Sequence, residues 1–113
     1  MSAITTHVLD LAAGRPAASV SLRLEVARDG AWITLANAKT DADGRAKELV
    51  PAGSRLDAGR YRLTFATGEY FTAQGIASFH PEVSVTFEVR DASQHHHVPL
   101  LLSPFGYSTY RGS

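Results

Sequence analysis

Apolar and polar residues alternate with a period of two along most of this chain. Val20, Leu22, Leu24 and Val26 interleave with Ser21, Arg23 and Glu25. Tyr61, Leu63 and Phe65 interleave with Arg60, Arg62 and Thr64. Val83, Val85, Phe87 and Val89 interleave with Ser84, Thr86, Glu88 and Arg90. Extended backbone sends successive side chains to opposite faces, so each run predicts a strand with one side on a core and the other toward water. Further strands are predicted over 4–11, 32–38 and 95–103, with a short one near 46–50 and a last one over 107–111. Residues 68–75 lack the alternation and predict a short helix. Turns are marked by Ala13-Gly14-Arg15-Pro16, Asp29-Gly30, Asp43-Gly44 and Asp57-Ala58-Gly59. About eight strands at this spacing predict an antiparallel β-sandwich.

The same alternation assigns faces. Val98, Leu100 and Leu102 form one apolar row, which leaves His95, His97, Pro99 and Leu101 on the other side. In the first strand Val8 is the natural core residue, so His7 and Leu9 share the opposite face. Both strands therefore place a histidine and a leucine where a solvated sheet is normally polar. An apolar outer face on a small domain points to a subunit interface or a binding groove.

Composition narrows the function classes. The 113 residues suit one domain, spanning 1–113, with a real hydrophobic core. Lys+Arg and Asp+Glu are both 11, and this zero net charge argues against nucleic acid or an anionic membrane as partner. No apolar run approaches the length of a membrane helix, and no basic leader precedes the first strand, so a cytoplasmic protein is expected. The absence of cysteine removes disulfides, a thiolate nucleophile and a cysteine zinc site together.

Two features are left for chemistry. The first is the histidines, three of which are consecutive, His95-His96-His97. On a strand His95 and His97 share a face, and with His7 they could form a zinc site, although such a site also needs a second shell and an open position. His96 points the other way and is expected on the core side or in an adjoining pocket. The second is the end of the chain. Chain ends usually fray. From His97 to Ser113 this one is strand-like, rich in aromatic and hydroxyl groups, and closes on Tyr110-Arg111-Gly112-Ser113. Its last residues are expected inside a site. Taken singly, each candidate has a bland reading: His7 as a surface residue, Arg45 as a solvated turn residue, Tyr110 as packing, Arg111 and Ser113 as a loose end.

Read together, these segments resemble one family. Thr6-His7-Val8-Leu9-Asp10, Gly14-Arg15-Pro16-Ala17, Trp32, Thr40-Asp41-Ala42-Asp43-Gly44-Arg45, Pro81-Glu82, His97-Val98-Pro99-Leu100-Leu101-Leu102-Ser103-Pro104 and the closing Tyr107 to Ser113 follow one another in order. The pattern resembles the 5-hydroxyisourate hydrolases, the enzymatic relatives of transthyretin. The chain departs from it at His96, where the family usually has tyrosine, and at His80, where it often has an aromatic residue.

The resemblance implies a transthyretin-like (prealbumin-like) antiparallel β-sandwich of two four-stranded sheets with one short helix. It implies hydrolysis of 5-hydroxyisourate to 2-oxo-4-hydroxy-4-carboxy-5-ureidoimidazoline in urate catabolism, by metal-free general acid/base opening of the six-membered ring. It implies His7, Arg45, His97 and Ser113 as catalytic residues, with Tyr110, Arg111, Gly112 and Leu101 holding substrate. No cofactor and no metal are implied. The partners implied are the small-molecule substrate and three further copies of the chain, arranged as a dimer of dimers around a central channel. The alternative is a non-enzymatic, transthyretin-like carrier of a small ligand.

Overall fold

The computed structural model describes residues 3–51 and 53–113, so Met1 and Ser2, which belong to the leader reading, lie outside the described residues. In chain order the elements are β1 (Ile4–Asp10), β2 (Arg15–Pro16), β3 (Ser21–Arg28), β4 (Ala31–Lys39), β5 (Arg45–Ala46), β6 (Gly59–Phe65), α1 (Thr67–Thr72), β7 (Val83–Val89), β8 (His96–Ser103) and β9 (Gly106–Thr109). They form a sandwich. One sheet runs β4-β3-β6-β7, and the other runs β2-β1-β8-β9 with β5 also paired to β1.

The alternating rows predicted from sequence form the core between the sheets. Ile4 and Val8 of β1, Leu24 of β3, Leu63 and Phe65 of β6 and Leu100 of β8 are all fully buried, joined by Tyr61, Phe71 and Val83. Removing such surface from water stabilises the fold by about 1.5–3 kcal/mol for each large side chain. Most polar groups that enter the core are satisfied, as burial demands; the exception among the described residues is the fully buried Thr67 hydroxyl, which has no partner. Thr6 donates its hydroxyl to the Val98 carbonyl. Asp10 accepts the Tyr70 hydroxyl at 2.8 Å and the Ala13 amide at 3.0 Å, which ties α1 and the first turn to β1.

The structure departs from the sequence expectation in detail. The second four-stranded sheet is instead three longer strands plus two pieces of two residues each, β2 and β5, both against β1. The strand expected over 46–50 shrinks to Arg45–Ala46 because Leu49 and Val50 turn inward and are buried. The helix stops at Thr72, short of the expected 75, and Gly75 then takes a positive φ of 70°. One pairing is parallel rather than antiparallel: β1 runs alongside β8. Parallel neighbours need a long crossover, and here the intervening sheet supplies it. The register of that pair sets Thr5 beside His97, His7 beside Pro99 and Leu9 beside Leu101. Among the described residues no helix is long and apolar enough to cross a membrane.

Candidate active site

The outward face of the β1–β8 pair carries the predicted chemistry. Val8, Leu100 and Leu102 are buried on the inner side, while His7, Leu9, His97 and Leu101 are half-buried on the outer side, as alternation required. Three chain segments converge around these histidines.

The first is the turn before β5. Asp41 accepts the backbone amides of Asp43 at 2.9 Å and Arg45 at 3.0 Å, closing a local turn. These amide bonds, chiefly that from Arg45, hold the Asp41 carboxyl below its ordinary pKa. Gly44 has a positive φ of 74°, and a Cβ there would collide with the Val8 carbonyl. Only glycine meets both conditions. The turn therefore docks tightly on β1: the Val8 amide donates to the Gly44 carbonyl at 2.7 Å, and Arg45 pairs in register with His7. The Asp43 carbonyl accepts a hydrogen bond from His7 Nε2 at 2.8 Å. A carbonyl only accepts, so Nε2 carries the proton, and in the neutral ring the lone pair is on Nδ1.

The second segment is the chain end. β9 stops at Thr109, whose hydroxyl donates to the Pro99 carbonyl at 2.7 Å. The chain then returns to β8, where the Gly112 amide donates to the His97 carbonyl at 2.8 Å and the two residues form a bridge. A Cβ on Gly112 would strike the His97 imidazole and press on Pro99. Gly112 is thus the residue that lets the tail lie against the ring.

The third is Thr5, which the sequence reading did not single out. Its hydroxyl lies 2.8 Å from His97 Nδ1 and 2.9 Å from His95 Nε2, while the two imidazoles stack with centroids 6.3 Å apart. His97 Nδ1 is therefore occupied, and Nε2 is the nitrogen left for a substrate or water. Burial first, and then the positive charge of Arg45 with His95 and His7 nearby, lower the His97 pKa below the ordinary imidazole value. This shift favours the neutral ring, the form a general base needs.

Thr5, Thr6, Arg45, Lys47, Glu48, His95, His97 and Ser113 line a groove of about 720 Å³. Of the predicted residues, the structure brings together Arg45, His97 and Ser113 in this groove, with Gly112 packed behind His97 and His7 adjoining Arg45 on β1. Leu101 shares the outer face but is not among the groove residues. Tyr110 and Arg111 do not enter the groove within one chain. They line a second recess of about 250 Å³ that shares His97 with the groove and is otherwise formed by residues such as Val85, Phe87 and Thr109, and Arg111 donates to Gln94 Oε1 and the His95 carbonyl at 3.2 and 3.3 Å. The closing tetrapeptide is therefore split between two surfaces.

The remaining histidines sit apart. His96 is buried on the core side, as expected, with Nδ1 bonded to the Gln94 carbonyl at 3.0 Å. Its pKa is lowered by burial and then by the Arg111 charge. His80 packs edge-on between Phe79 and Tyr107. Among the described residues no group of three or more His, Asp or Glu is placed to hold a metal ion. His95 Nε2 and His97 Nδ1 are both engaged by the Thr5 hydroxyl.

Comparison with known proteins adds to this geometry. Residues 4–112 match the model of the HIUase/Transthyretin family. The chain is 51% identical to the 5-hydroxyisourate hydrolase of Caulobacter vibrioides, covering 100% of both chains. Among solved structures, it is similar to the 5-hydroxyisourate hydrolase of Klebsiella pneumoniae, with 41% identity and a TM-score of 0.84, covering 100% of this chain and 94% of that one. It is also similar to sea bream transthyretin in complex with thyroxine, with 36% identity and a TM-score of 0.89, covering 96% of this chain and 93% of that one. Backbone likeness alone does not separate the two activities. The side chains of the groove have to.

Proposed function

Since this chain belongs to the HIUase/transthyretin family, we propose that it is a 5-hydroxyisourate hydrolase acting in urate catabolism. The observation that carries this reading is the convergence of His97, Arg45 and Ser113 on one groove, with His97 Nδ1 held by Thr5 and its neutral form favoured by burial. A carrier for a hydrophobic ligand has no need of an imidazole base beside a cationic donor in a groove lined by polar and charged residues. A hydrolase needs both.

The chemistry follows from the groups. The substrate is a planar oxidised purine, and the reaction breaks an amide-like C–N bond in its six-membered ring. His97 Nε2 takes a proton from water as the oxygen attacks the ring carbonyl, and returns one to the departing nitrogen. Negative charge develops on the carbonyl oxygen. Arg45, always cationic and forked, stabilises it. His7 presents a second imidazole whose orientation is set by Asp43. Ser113 hydrogen-bonds the substrate edge. Neither histidine forms a covalent intermediate.

Assembly completes the reading. The half-buried apolar face around Leu9 and Leu101 supports packing of this sheet against a second copy, and a dimer of dimers is a common closed solution. In such a tetramer the grooves open on a shared channel. Tyr110 and Arg111 line the recess on the other side of His97, and a contact between protomers would bring them to a neighbouring groove. The whole chain then acts as one transthyretin-like domain without a cofactor, and the cysteine-free sequence suits the reducing cytoplasm.

The test is spectroscopic. 5-Hydroxyisourate is generated in situ from urate with urate oxidase, and decay of its ultraviolet absorbance is followed with and without the protein. Acceleration well above the spontaneous rate is expected. Decay at the spontaneous rate over a range of protein concentrations overturns the assignment.

A further inference from the structure

Among the described residues the hydroxyl of Thr5 is the only group bonded to both the His95 and His97 side chains, and the mechanism so far gives it no work. A hydroxyl has one proton. Lying 2.8 Å from His97 Nδ1 and 2.9 Å from His95 Nε2, it can donate to only one ring, and it accepts from whichever facing nitrogen carries a proton. For His97 to act as a base at Nε2, its Nδ1 must carry the proton. Nδ1–H then donates to Thr5 Oγ1, and with His95 in the tautomer protonated at Nδ1, the Thr5 proton points at the lone pair on His95 Nε2. The orientation needed for catalysis thus sets up a continuous path from the base to the second imidazole.

We propose that Thr5 relays charge from His97 to His95 during ring opening, which makes Thr5 a positioning residue and His95 the site that carries the positive charge of the intermediate. This rests on the hydrolase reading above. As water attacks, its proton bonds to His97 Nε2. The Nδ1–H proton passes to Thr5 Oγ1, and the hydroxyl proton of Thr5 passes to His95 Nε2. His97 and Thr5 end neutral, and His95 ends as imidazolium. When the C–N bond breaks, the three transfers reverse: Nε2–H goes to the departing nitrogen, Thr5 returns a proton to Nδ1, and His95 returns one to Thr5. No proton is gained or lost over the cycle, and no co-reactant is needed.

The surroundings explain why the transfer is favourable. His97 is half-buried, packed against Gly112 and near Arg45, so an imidazolium there is poorly solvated and repelled. His95 is exposed at the mouth of the same groove, where water solvates the charge. Thr5 is itself 8% exposed and held on β1 in register with His97, so its hydroxyl has little freedom to turn away. Threonine and serine retain this path; valine keeps the shape of threonine and removes it.

Four proteins test the relay: wild type, Thr5→Ser, Thr5→Val and His95→Gln. Ring-opening rates are measured for each in mixtures of light and heavy water. The wild type is expected to show a curved dependence on deuterium fraction, since several protons move together, and Thr5→Ser should match it. Thr5→Val and His95→Gln should lose roughly tenfold in kcat with KM little changed, and their dependence should become linear. His95 is exposed, so its substitution leaves the fold intact even if Thr5→Val fails to fold. A His95→Gln protein with wild-type kcat and curvature overturns the relay. So does a Thr5→Ser protein as slow as Thr5→Val, which would mean that packing and not the hydroxyl matters. Both results leave the hydrolase assignment standing, because the wild type still accelerates decay. A wild type that does not accelerate decay removes the assignment and the relay together.

Discussion

The two sheets alternate in the same way but present opposite outer faces. Outside the β4-β3-β6-β7 sheet lie Arg23, Glu25, Arg60, Arg62, Thr64, Ser84 and Glu88, and these groups pair with one another. Arg62 Nη2 is 2.9 Å from Glu25, Arg23 is 3.4 Å from it, and the Arg62 guanidinium lies 4.2 Å from the centre of the Trp32 ring. Thr64 and Ser84 share a hydrogen bond at 3.0 Å. Outside the other sheet lie Thr5, His7, Leu9, His97, Pro99 and Leu101, with Arg45 beside them. Here the imidazoles are fixed by neutral partners, Thr5 and a carbonyl, and no ion pair below 4 Å to Arg45 is present among the described residues. One face is finished by its own contacts, whereas the other holds oriented donors and acceptors in reserve. The difference marks the second as the working surface.

The sharpest way to break this comparison is to remove the imidazoles. His97→Asn and His7→Asn should each lower the ring-opening rate by about 10²–10⁴-fold while the thermal unfolding curve stays close to wild type. Near wild-type rates in both variants would make the two faces equivalent and end the histidine mechanism. Next in size is Gly112→Ala. The added methyl meets the His97 ring and Pro99, so the ring must move. Displacement of a catalytic group by about 1 Å can cost 10²-fold in rate, and a loss of roughly ten- to a hundredfold in kcat is expected with little change in circular dichroism. An unaffected Gly112→Ala enzyme would show that the tail does not position the base.

The other face should respond in the opposite sense. Glu25→Gln leaves the Arg62 and Arg23 guanidiniums without their carboxylate, and Glu25 is only 6% exposed. Hydrogen bonds to charged groups contribute about 1.5–3 kcal/mol. Arg62 is partly solvated, so the lower part of that range is expected, read as a fall in the denaturant midpoint with kcat unchanged. A loss of kcat at constant stability would mean that the two faces are not independent.

Much of this division was visible in the sequence. Alternation alone put Val98, Leu100 and Leu102 inside, His7 and His97 outside and His96 toward the core, because strand parity is a local property. What parity does not contain is pairing. Thr5 meets His95 and His97 across 90 and 92 residues of chain, through a parallel neighbour that alternation cannot specify. In a strand, a threonine two residues before a histidine reads as an ordinary β-former. Its shared face with His7 was the available signal, but without the register it named no partner. The same limit explains the tail. The spacing of Tyr110-Arg111-Gly112-Ser113 suggested one continuous group, but the strand ends at Thr109, and Gly112 rejoins β8 after the chain has turned. The tetrapeptide therefore serves two surfaces.

The smallest expected effect concerns protons at His97. Its folded pKa lies below the ordinary value of 6.5, with burial the main cause and Arg45 the next. Between that lowered value and 6.5 the unfolded chain binds the proton and the folded chain does not. The unfolded state then holds more protons, so unfolding free energy rises with pH. The contribution of His97 to stability is complete above 6.5 and is lost as pH falls through the window below it. The same shift keeps the base deprotonated on the acid side of neutrality. The kcat/KM of the wild type should therefore stay level as pH falls to 6.5 and decline only beneath it. Arg45→Met removes the nearby charge, eases protonation of His97 and should carry that acid limb upward toward 6.5, in addition to lowering the rate itself. On the opposite sheet, Arg62→Met lies outside this field and should leave the limb where it is. An acid limb centred at 6.5 in the wild type, or one that moves equally in the two variants, would show that the groove does not tune its histidine and that the two faces differ only in composition.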